Sequence, residues 1–403
     1  MARRKTRHTN PHHVITAILA IFIVLGILDI CRERLDRPLP AIEPQQLAIQ
    51  TASSPMTKLT WPTTGQAAIG IEGHGVLSAN GTEAPVPTAS VAKLVTALAV
   101  LKLHPIAPGS QGSVITLNQN DVSLYDTYAA EGGSVAAVSE GEQITEYQML
   151  EGMLLPSANN MADSLAVWAF GSLPAYDSYA NKMVASMGLT QTHIGTDASG
   201  FLPDTTSTAK DLVLLGEAVT NNAVLMSVVD QRSATIPVAG TINNVDWLIG
   251  TDGINGIKTG NSNQDPGVYL FSAPYSVVSG QEVTIVGAVM MGQTLQKAMD
   301  SAVPLLTSMQ QAIHYSTSLV PGQAVGQYNV PWSGSVTAVT AQAVQSLSWQ
   351  DTLLTHPAVN LNTIYSNQAK GSQVGTVKFG NSSSSIILSA QIPKPSLWWR
   401  LTH

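Results

Sequence analysis

Three short polar motifs stand in the order SVAK at 90–93, SAN at 157–159 and KTG at 258–260. A serine hydroxyl is a weak nucleophile at neutral pH unless a base lies within hydrogen-bonding reach. A lysine three residues further along a helix shares the face of the serine. The first motif therefore predicts a nucleophile, Ser90, paired with its general base, Lys93.

Apolar residues at helical spacing follow Ser90 and predict the helix that this pairing needs. They are Val91, Leu94, Val95, Leu98 and Leu101. Ser90 is then expected in the first turn, where backbone amides lack partners within the helix. Its own N–H can therefore stabilise a developing oxyanion.

The second motif is expected on a turn between two helices. A capping box at 145–148 begins the first helix, and Pro156 interrupts the pattern just before the motif. The hydroxyl of Ser157 can relay a proton between Lys93 and a leaving group, while the amide of Asn159 can hold a peptide carbonyl and orient the lysine.

The third motif precedes two apolar runs, at 268–273 and 283–291. This pattern predicts a strand at the edge of an antiparallel sheet. Lys258 offers a cation and Thr259 a hydroxyl, and Gly260 has no side chain to obstruct a substrate backbone that lies alongside.

Each motif alone is weak, because isolated SxxK, SAN and KTG sequences are common on exposed helices, turns and strand edges. Their order, together with the helix, turn and strand that each requires, favours a serine acyl-transfer site. This chemistry needs neither a cofactor nor a metal.

The sequence resembles the low-molecular-mass penicillin-binding proteins, the serine D-alanyl-D-alanine carboxypeptidases of the S11 peptidase family. The similarity extends from the motifs to the segments 65–81, 141–166 and 187–219, and covers about residues 60 to 400. It implies an α/β (α+β) β-lactamase/transpeptidase-like domain, with an antiparallel sheet flanked by helices, and a small all-β sandwich domain after it.

The resemblance also implies roles for individual residues. Ser90 is the acylated nucleophile, Lys93 the general base and Ser157 the proton shuttle. The groups that position the substrate are Asn159, Lys258, Thr259 and Gly260. The backbone amides of Ser90 and Asn261 form the oxyanion hole.

Two positions depart from the family pattern. Where many members carry an arginine that meets the substrate carboxylate, this chain has Gln293, which we expect to face that carboxylate as a weaker ligand. Where many members have His-Gly, this chain has Ser199-Gly200, so deacylation assisted by histidine is not expected. His193 is expected to be structural.

The leading function is removal of the terminal D-alanine from peptidoglycan stem peptides, with β-lactams as inhibitors. A DD-endopeptidase uses the same acyl-enzyme and stays open as an alternative. A class A-like β-lactamase needs a glutamate that activates water, and the run at 192–195 contains none. An inactive peptidoglycan-binding module is disfavoured by the intact Ser90, Lys93, Ser157 and Lys258.

The composition fits an extracytoplasmic enzyme. The chain is 44% hydrophobic and 11% charged, so it can bury substantial cores, and its length of 403 residues suggests two domains. A net charge of −7 argues against nucleic acid as a partner. The single cysteine, Cys31, excludes both an intrachain disulfide and a thiol nucleophile at the site.

Residues 1–31 form a cytoplasmic basic leader followed by an apolar run without small residues at its end. We expect an uncleaved signal anchor in the cytoplasmic membrane with the catalytic domain outside; secretion after signal cleavage is the alternative. A proline-rich linker is expected at 32–60, the catalytic domain at 61–316 and the β-sandwich at 317–403. Trp398 and Trp399 are expected either at a membrane interface or over the sandwich core.

Overall fold

The computed structural model describes residues 11–49, 56–261, 266–278, 280–350, 352–365 and 367–403. The chain divides into two compact units. One is Pro55–His314, and the other combines Met1–Ser54 with Tyr315–His403.

The N-terminal segment contains helix α1 (Pro11–Asp36) and strand β1 (Pro44–Gln46). From His12 to Asp36 the helix is long and apolar enough to cross a membrane. Its large apolar side chains from Val14 to Ile30 are exposed, as a lipid-facing helix requires. The segment therefore fits a membrane anchor or a signal sequence.

The unit Pro55–His314 is built from helices packed against an antiparallel sheet. Its helices are α2 (Lys93–Leu103), α3 (Gln119–Ala130), α4 (Glu146–Leu154), α5 (Asn159–Phe170), α6 (Leu173–Ser186), α7 (Ala209–Thr220), α8 (Ala223–Val229) and α9 (Leu295–Ala312). Its strands are β2 (Gln66–Ile71), β3 (Gly75–Asn80), β4 (Val86–Pro87), β5 (Val114–Thr116), β6 (Gln143–Thr145), β7 (Thr206–Ser207), β8 (Ser233–Ile236), β9 (Gly240–Asn243), β10 (Gly256–Gly260), β11 (Gly267–Val278) and β12 (Gln281–Gly292).

The main sheet has the order β10-β11-β12-β2-β3 and is antiparallel throughout. The KTG motif lies on β10, where Lys258 pairs with Leu270 and Thr259 with Tyr269. The predicted edge strand is confirmed, since no other strand of the described ranges pairs with the second side of β10.

The segment around Ser90 differs from the predicted α-helix. Residues Ala89–Ala92 form a 3₁₀ turn, and α2 begins only at Lys93. Two glycines pack against this turn: a Cβ on Gly200 would lie 2.2 Å from the carbonyl oxygen of Ala89, and one on Gly260 would lie 2.7 Å from that of Thr88. The turn that contains Ser90 therefore packs closely against the segments of Gly200 and Gly260.

The SAN motif lies at the break between α4 and α5. The predicted capping box, Thr145 with Gln148, begins α4. Ser157 has a φ of +66°, in the left-handed region that few residues other than glycine occupy. Asn159 follows as the first residue of α5, so the motif lies on a turn as predicted.

The other unit contains two sheets around one core. Its further elements are β13 (Ile313–Leu319), β14 (Ala324–Val330), β15 (Gly334–Thr340), β16 (Val344–Trp349), β17 (Thr352–Leu353), β18 (Ala358–Leu361), β19 (Gln373–Phe379), β20 (Ser382–Leu388) and α10 (Leu397–Thr402). The sheets have the orders β1-β14-β15-β20-β19-β18 and β13-β16-β17. Leu319, Tyr328, Val344 and Phe379 share their core, which makes the unit a β-sandwich.

Strand β1 lies within the segment 32–60, where the sequence predicts a linker. Its backbone pairs with β14, from Pro44 opposite Tyr328 to Gln46 opposite Gly326. A proline is tolerated there because β1 is an edge strand, where a missing N–H costs no ladder bond. Backbone pairing of this kind needs no apolar period in the sequence.

The two C-terminal tryptophans have different surroundings. Trp398 is 76% exposed. Trp399 contacts Trp332 of the sandwich edge-on, with ring centroids 5.2 Å apart. Helix α10 also lies beside the end of α1, since the Arg34 guanidinium donates to the carbonyl oxygen of Leu401 at 2.9 Å.

Candidate active site

Lys93 lies at the centre of the polar cluster, at the start of α2. Its Nζ is 2.8 Å from Ser90 Oγ, 2.8 Å from Asn159 Oδ1 and 2.9 Å from the carbonyl oxygen of Ser199. The last two oxygens can only accept, so they take two hydrogens of the amine. The lone pair of a neutral amine then faces the Ser90 hydroxyl, the geometry of a base beside its nucleophile.

Burial favours this neutral form. The Lys93 side chain is 0% exposed, and burial lowers the pKa of its amine well below the ordinary value. The nearby cation of Lys258 acts in the same direction, whereas Asp197 and Asp163 act against it. Desolvation is the largest cause, so burial shifts Lys93 towards the neutral amine.

The SAN motif contributes a buried hydroxyl and a buried amide. Ser157 and Asn159 are both buried, and the backbone N–H of Asn159 donates to the carbonyl oxygen of Ser134 at 2.7 Å. The side chain of the next residue, Asn160, accepts the backbone N–H of Ala136 at 3.1 Å and donates to its carbonyl oxygen at 2.9 Å. These bonds fasten the segment 134–136 to the start of α5.

The KTG motif presents a second buried lysine. Lys258 is 2% exposed, and its Nζ donates to the carbonyl oxygen of Thr259 at 3.0 Å. Burial lowers the pKa of Lys258 to about 7, although Asp246 opposes this. Gly260 lets β10 pack closely against the Ser90 turn, because the carbonyl oxygen of Thr88 leaves no room for a Cβ at this position.

The segment 197–201 orients Lys93 through the Ser199 carbonyl. Asp197 holds this segment, since its Oδ2 accepts the N–H of Phe201 at 2.9 Å and the N–H of Ser199 at 3.2 Å. The Ser199 hydroxyl also donates to the same carboxylate. Ser199 therefore acts through its backbone, which the sequence alone does not indicate.

His193 lies outside this cluster. Its backbone forms a β-bridge with Thr206, and a structural role for its side chain stays a prediction.

A cavity of about 270 Å³ opens over Ser90. Asn159 and Asn261 contribute to its wall. The remaining lining residues are Glu131, Gly132, Gly133, Ser134, Gly200, Phe201, Leu202 and Pro203. The structure therefore brings the first two motifs and Asn261, which directly follows the third, to one cavity.

Gln293 does not lie with these residues. It is exposed and lines a separate cavity of about 120 Å³ with Thr63, Thr64 and Lys297. The residue follows β12, which is two strands away from β10 in the sheet.

The described ranges contain no group of three or more His, Cys, Asp and Glu side chains arranged to hold a metal ion. The Ser90 hydroxyl and the Asn159 amide line the cavity, and the buried amine of Lys93 contacts both. This set is suited to nucleophilic acyl transfer.

Solved structures share this fold. Penicillin binding protein 5 from Haemophilus influenzae has a TM-score of 0.57 at 18% identity, covering 84% of this chain and 98% of that one. Penicillin binding protein 6B from Escherichia coli has a TM-score of 0.57 at 20% identity, covering 76% of this chain and 97% of that one. The α+β fold with a β-sandwich predicted from the sequence is confirmed.

Two relatives with similar sequences are named as D-alanyl-D-alanine carboxypeptidases. D-alanyl-D-alanine carboxypeptidase DacA of Escherichia coli K12 is 26% identical over 58% of this chain and 57% of its own length. D-alanyl-D-alanine carboxypeptidase DacB2 of Mycobacterium tuberculosis H37Rv is 29% identical over 47% of this chain and 62% of its own length. The chain thus spans less than two thirds of the length of these two relatives.

The family model described as D-alanyl-D-alanine carboxypeptidase matches residues 57–292, more than half of the chain. The match includes all three motifs and every residue that lines the cavity over Ser90. This chain therefore belongs to the S11 peptidase family of D-alanyl-D-alanine carboxypeptidases.

Proposed function

We propose that the protein is a serine-type D-Ala-D-Ala carboxypeptidase that binds penicillin. It removes the terminal D-alanine of peptidoglycan stem peptides through an acyl-enzyme on Ser90. The observation that carries the proposal is the 2.8 Å contact between the Ser90 hydroxyl and the fully buried amine of Lys93. Burial and hydrogen bonding together supply an activated nucleophile.

Acylation begins when Lys93 removes the proton of the Ser90 hydroxyl and the oxygen attacks the carbonyl of the scissile amide. The resulting oxyanion is stabilised by the backbone N–H groups of Ser90 and Asn261. Ser157 relays the proton from Lys93 to the amide nitrogen, the C–N bond breaks and D-alanine leaves. Water then attacks the ester, and Ser90 regains its proton.

Substrate binding involves the edge strand β10. A peptide can lie beside this strand because Gly260 has no side chain. Lys258, Thr259 and Ser157 hold the terminal carboxylate, since Gln293 lies at another cavity. Asn159 orients Lys93 and binds the peptide.

Helix α1 serves as an uncleaved signal anchor in the cytoplasmic membrane, with the catalytic domain on the outer side. The exposed apolar surface of α1 and the basic residues before it support this orientation. Catalysis belongs to the domain expected at 61–316, and the sandwich at 317–403 contributes no catalytic group.

The function is tested with the purified protein and a peptide ending in D-Ala-D-Ala. We expect release of free D-alanine, and labelling by a fluorescent penicillin that persists for many minutes. Rapid turnover of the penicillin would indicate a β-lactamase instead. Cleavage of cross-linked peptidoglycan fragments without release of terminal D-alanine would indicate an endopeptidase. The absence of both activities would contradict the proposal.

A further inference from the structure

Asp163 is a buried carboxylate close to the site that the mechanism above does not use. It lies on α5 and is 2% exposed. Its Oδ1 accepts the backbone N–H of Ala198 at 2.9 Å, and its Oδ2 accepts the Tyr128 hydroxyl at 2.6 Å. A buried carboxylate is costly unless it is hydrogen-bonded, so both bonds are needed.

The bond to Ala198 lies one residue from the contact that orients the base. The carbonyl oxygen of Ala198 accepts the Thr96 hydroxyl at 2.6 Å, so both polar backbone groups of Ala198 are held. The next carbonyl along the chain, that of Ser199, accepts the Lys93 amine at 2.9 Å. A shift of Asp163 would therefore move the oxygen that directs Lys93.

The bond to Tyr128 connects the same carboxylate to the wall of the cavity. Tyr128 lies on α3, and its carbonyl oxygen accepts the N–H of Gly133, a cavity-lining residue, at 2.8 Å. Its ring meets Phe201 edge-on, with centroids 5.4 Å apart. Asp163 thus joins three segments around the cavity: α3, α5 and 197–201.

Charged and titratable groups surround this carboxylate. They are Tyr128 on α3, Asp197 in the segment 197–201, Lys93 on α2 and Tyr176 on α6. Burial raises the pKa of Asp163 to about 6. The ionised Asp163 in turn raises the pKa of Lys93, against the stronger lowering by burial and by Lys258.

We propose that Asp163 is a positioning residue for the general base, which fixes the Ser199 carbonyl and adjusts the charge around Lys93. This inference rests on the proposed acyl-transfer function. The residue touches neither substrate nor nucleophile, and its effect passes through the Ala198 peptide and through its charge.

The two effects can be separated by substitution. Asp163→Asn keeps an oxygen for the Ala198 N–H but removes the charge, so the pKa of Lys93 falls and neutral amine persists at lower pH. We expect the acidic limb of the pH–acylation profile to move to lower pH. Asp163→Ala also removes the acceptor and should lower the plateau rate roughly tenfold to a hundredfold, the scale of a small misplacement of a catalytic group.

Asp211→Asn is the matched control. Asp211 is also buried and also accepts one backbone N–H and one hydroxyl, from Gln191 and Thr192, both at 2.8 Å. It lies on α7 and makes no contact with Lys93 or with the cavity lining among the residues that the structure describes. Its substitution should affect thermal stability without moving the acidic limb.

The experiment measures acylation of the full-length protein by a fluorescent penicillin between pH 4 and 9, with thermal unfolding of each variant in the same buffers. A limb displaced to lower pH in Asp163→Asn alone supports the inference. If the acidic limb of Asp163→Asn lies at the same pH as that of the wild type, with or without a uniform loss of rate, the inference is overturned. Wild-type protein that is not labelled at any pH would overturn the proposed function itself.

Discussion

At the scale of single residues, the account depends on the protonation state of Lys93. Its amine lies between two acceptors, Asn159 Oδ1 and the Ser199 carbonyl, and one hydroxyl, that of Ser90. Burial lowers the pKa of Lys93 well below the ordinary value. The same buried amine can therefore accept the proton of the nucleophile.

Lys93→Ala should reduce the rate of acylation by at least about a hundredfold, since general-base assistance is typically worth that much. The measurement is the second-order rate constant for labelling by a fluorescent penicillin. Lys93→Met, which fills the same space without a base, should lose as much. A wild-type rate in either variant would assign the base to another group.

Lys258 should produce the basic limb of the pH profile. Its pKa is about 7, so the cation that we propose as the ligand of the substrate carboxylate is present below that pH and is lost above it. We expect kcat/KM for a peptide ending in D-Ala-D-Ala to fall as pH rises through about 7. Lys258→Arg keeps its charge because arginine stays protonated, and it should flatten this limb. A wild-type profile that does not fall above pH 7 would contradict the role of Lys258.

The sequence predicts candidates for the reacting groups, but it does not predict the residues that hold them in place. Ser90, Lys93, Ser157 and Lys258 stand in motifs whose spacing indicates their chemistry. Asp163 could have been noticed only as a charge within the buried stretch of α5, a signal that does not reveal its partners. The position of Gln293 could not be predicted either, because it depends on which cavity faces the end of β12.

At the scale of elements, the site depends on the close packing of β10 against the 3₁₀ turn of Ser90. The sequence predicts the edge strand because alternating turns and apolar runs surround it. It does not predict the 3₁₀ turn, since the periodicity of 91–101 equally fits an α-helix from Ser90 onward. The difference arises from tertiary contacts of Gly200 and Gly260 with the turn.

Gly260→Ala should push β10 away from the 3₁₀ turn of Ser90. The new Cβ would lie 2.7 Å from the carbonyl oxygen of Thr88 and 3.3 Å from the Ala89 side chain. We expect a loss of about 1–3 kcal/mol in the free energy of unfolding, as for other overpacked sites, together with slower acylation. Thermal unfolding and penicillin labelling measure the two effects.

Gly109→Ala is the control, because Gly109 has a φ of +79° but nothing within 4 Å of an added Cβ. It should lower stability through backbone strain alone and leave acylation unchanged. Normal acylation and stability in Gly260→Ala would show that the turn does not require this close contact.

At the scale of the whole molecule, the proposed anchor and the catalytic unit are separable. Deleting residues 1–36 should move the protein from the membrane fraction to the soluble fraction and leave the acylation rate unchanged. The expected change follows from loss of the exposed apolar surface of α1, whereas the cavity lining all lies within Pro55–His314. The N-terminus of the protein isolated from cells that express the full-length chain is determined by mass spectrometry. An N-terminus beyond residue 31 would contradict an uncleaved anchor.

The central claim, that Ser90 forms the acyl-enzyme, is tested most directly by mass spectrometry of the protein after reaction with benzylpenicillin. We predict a single covalent adduct on the peptide that contains Ser90, and no adduct in Ser90→Ala, with equal folded fractions by thermal unfolding. An adduct on another serine, or full labelling of Ser90→Ala, would contradict the account.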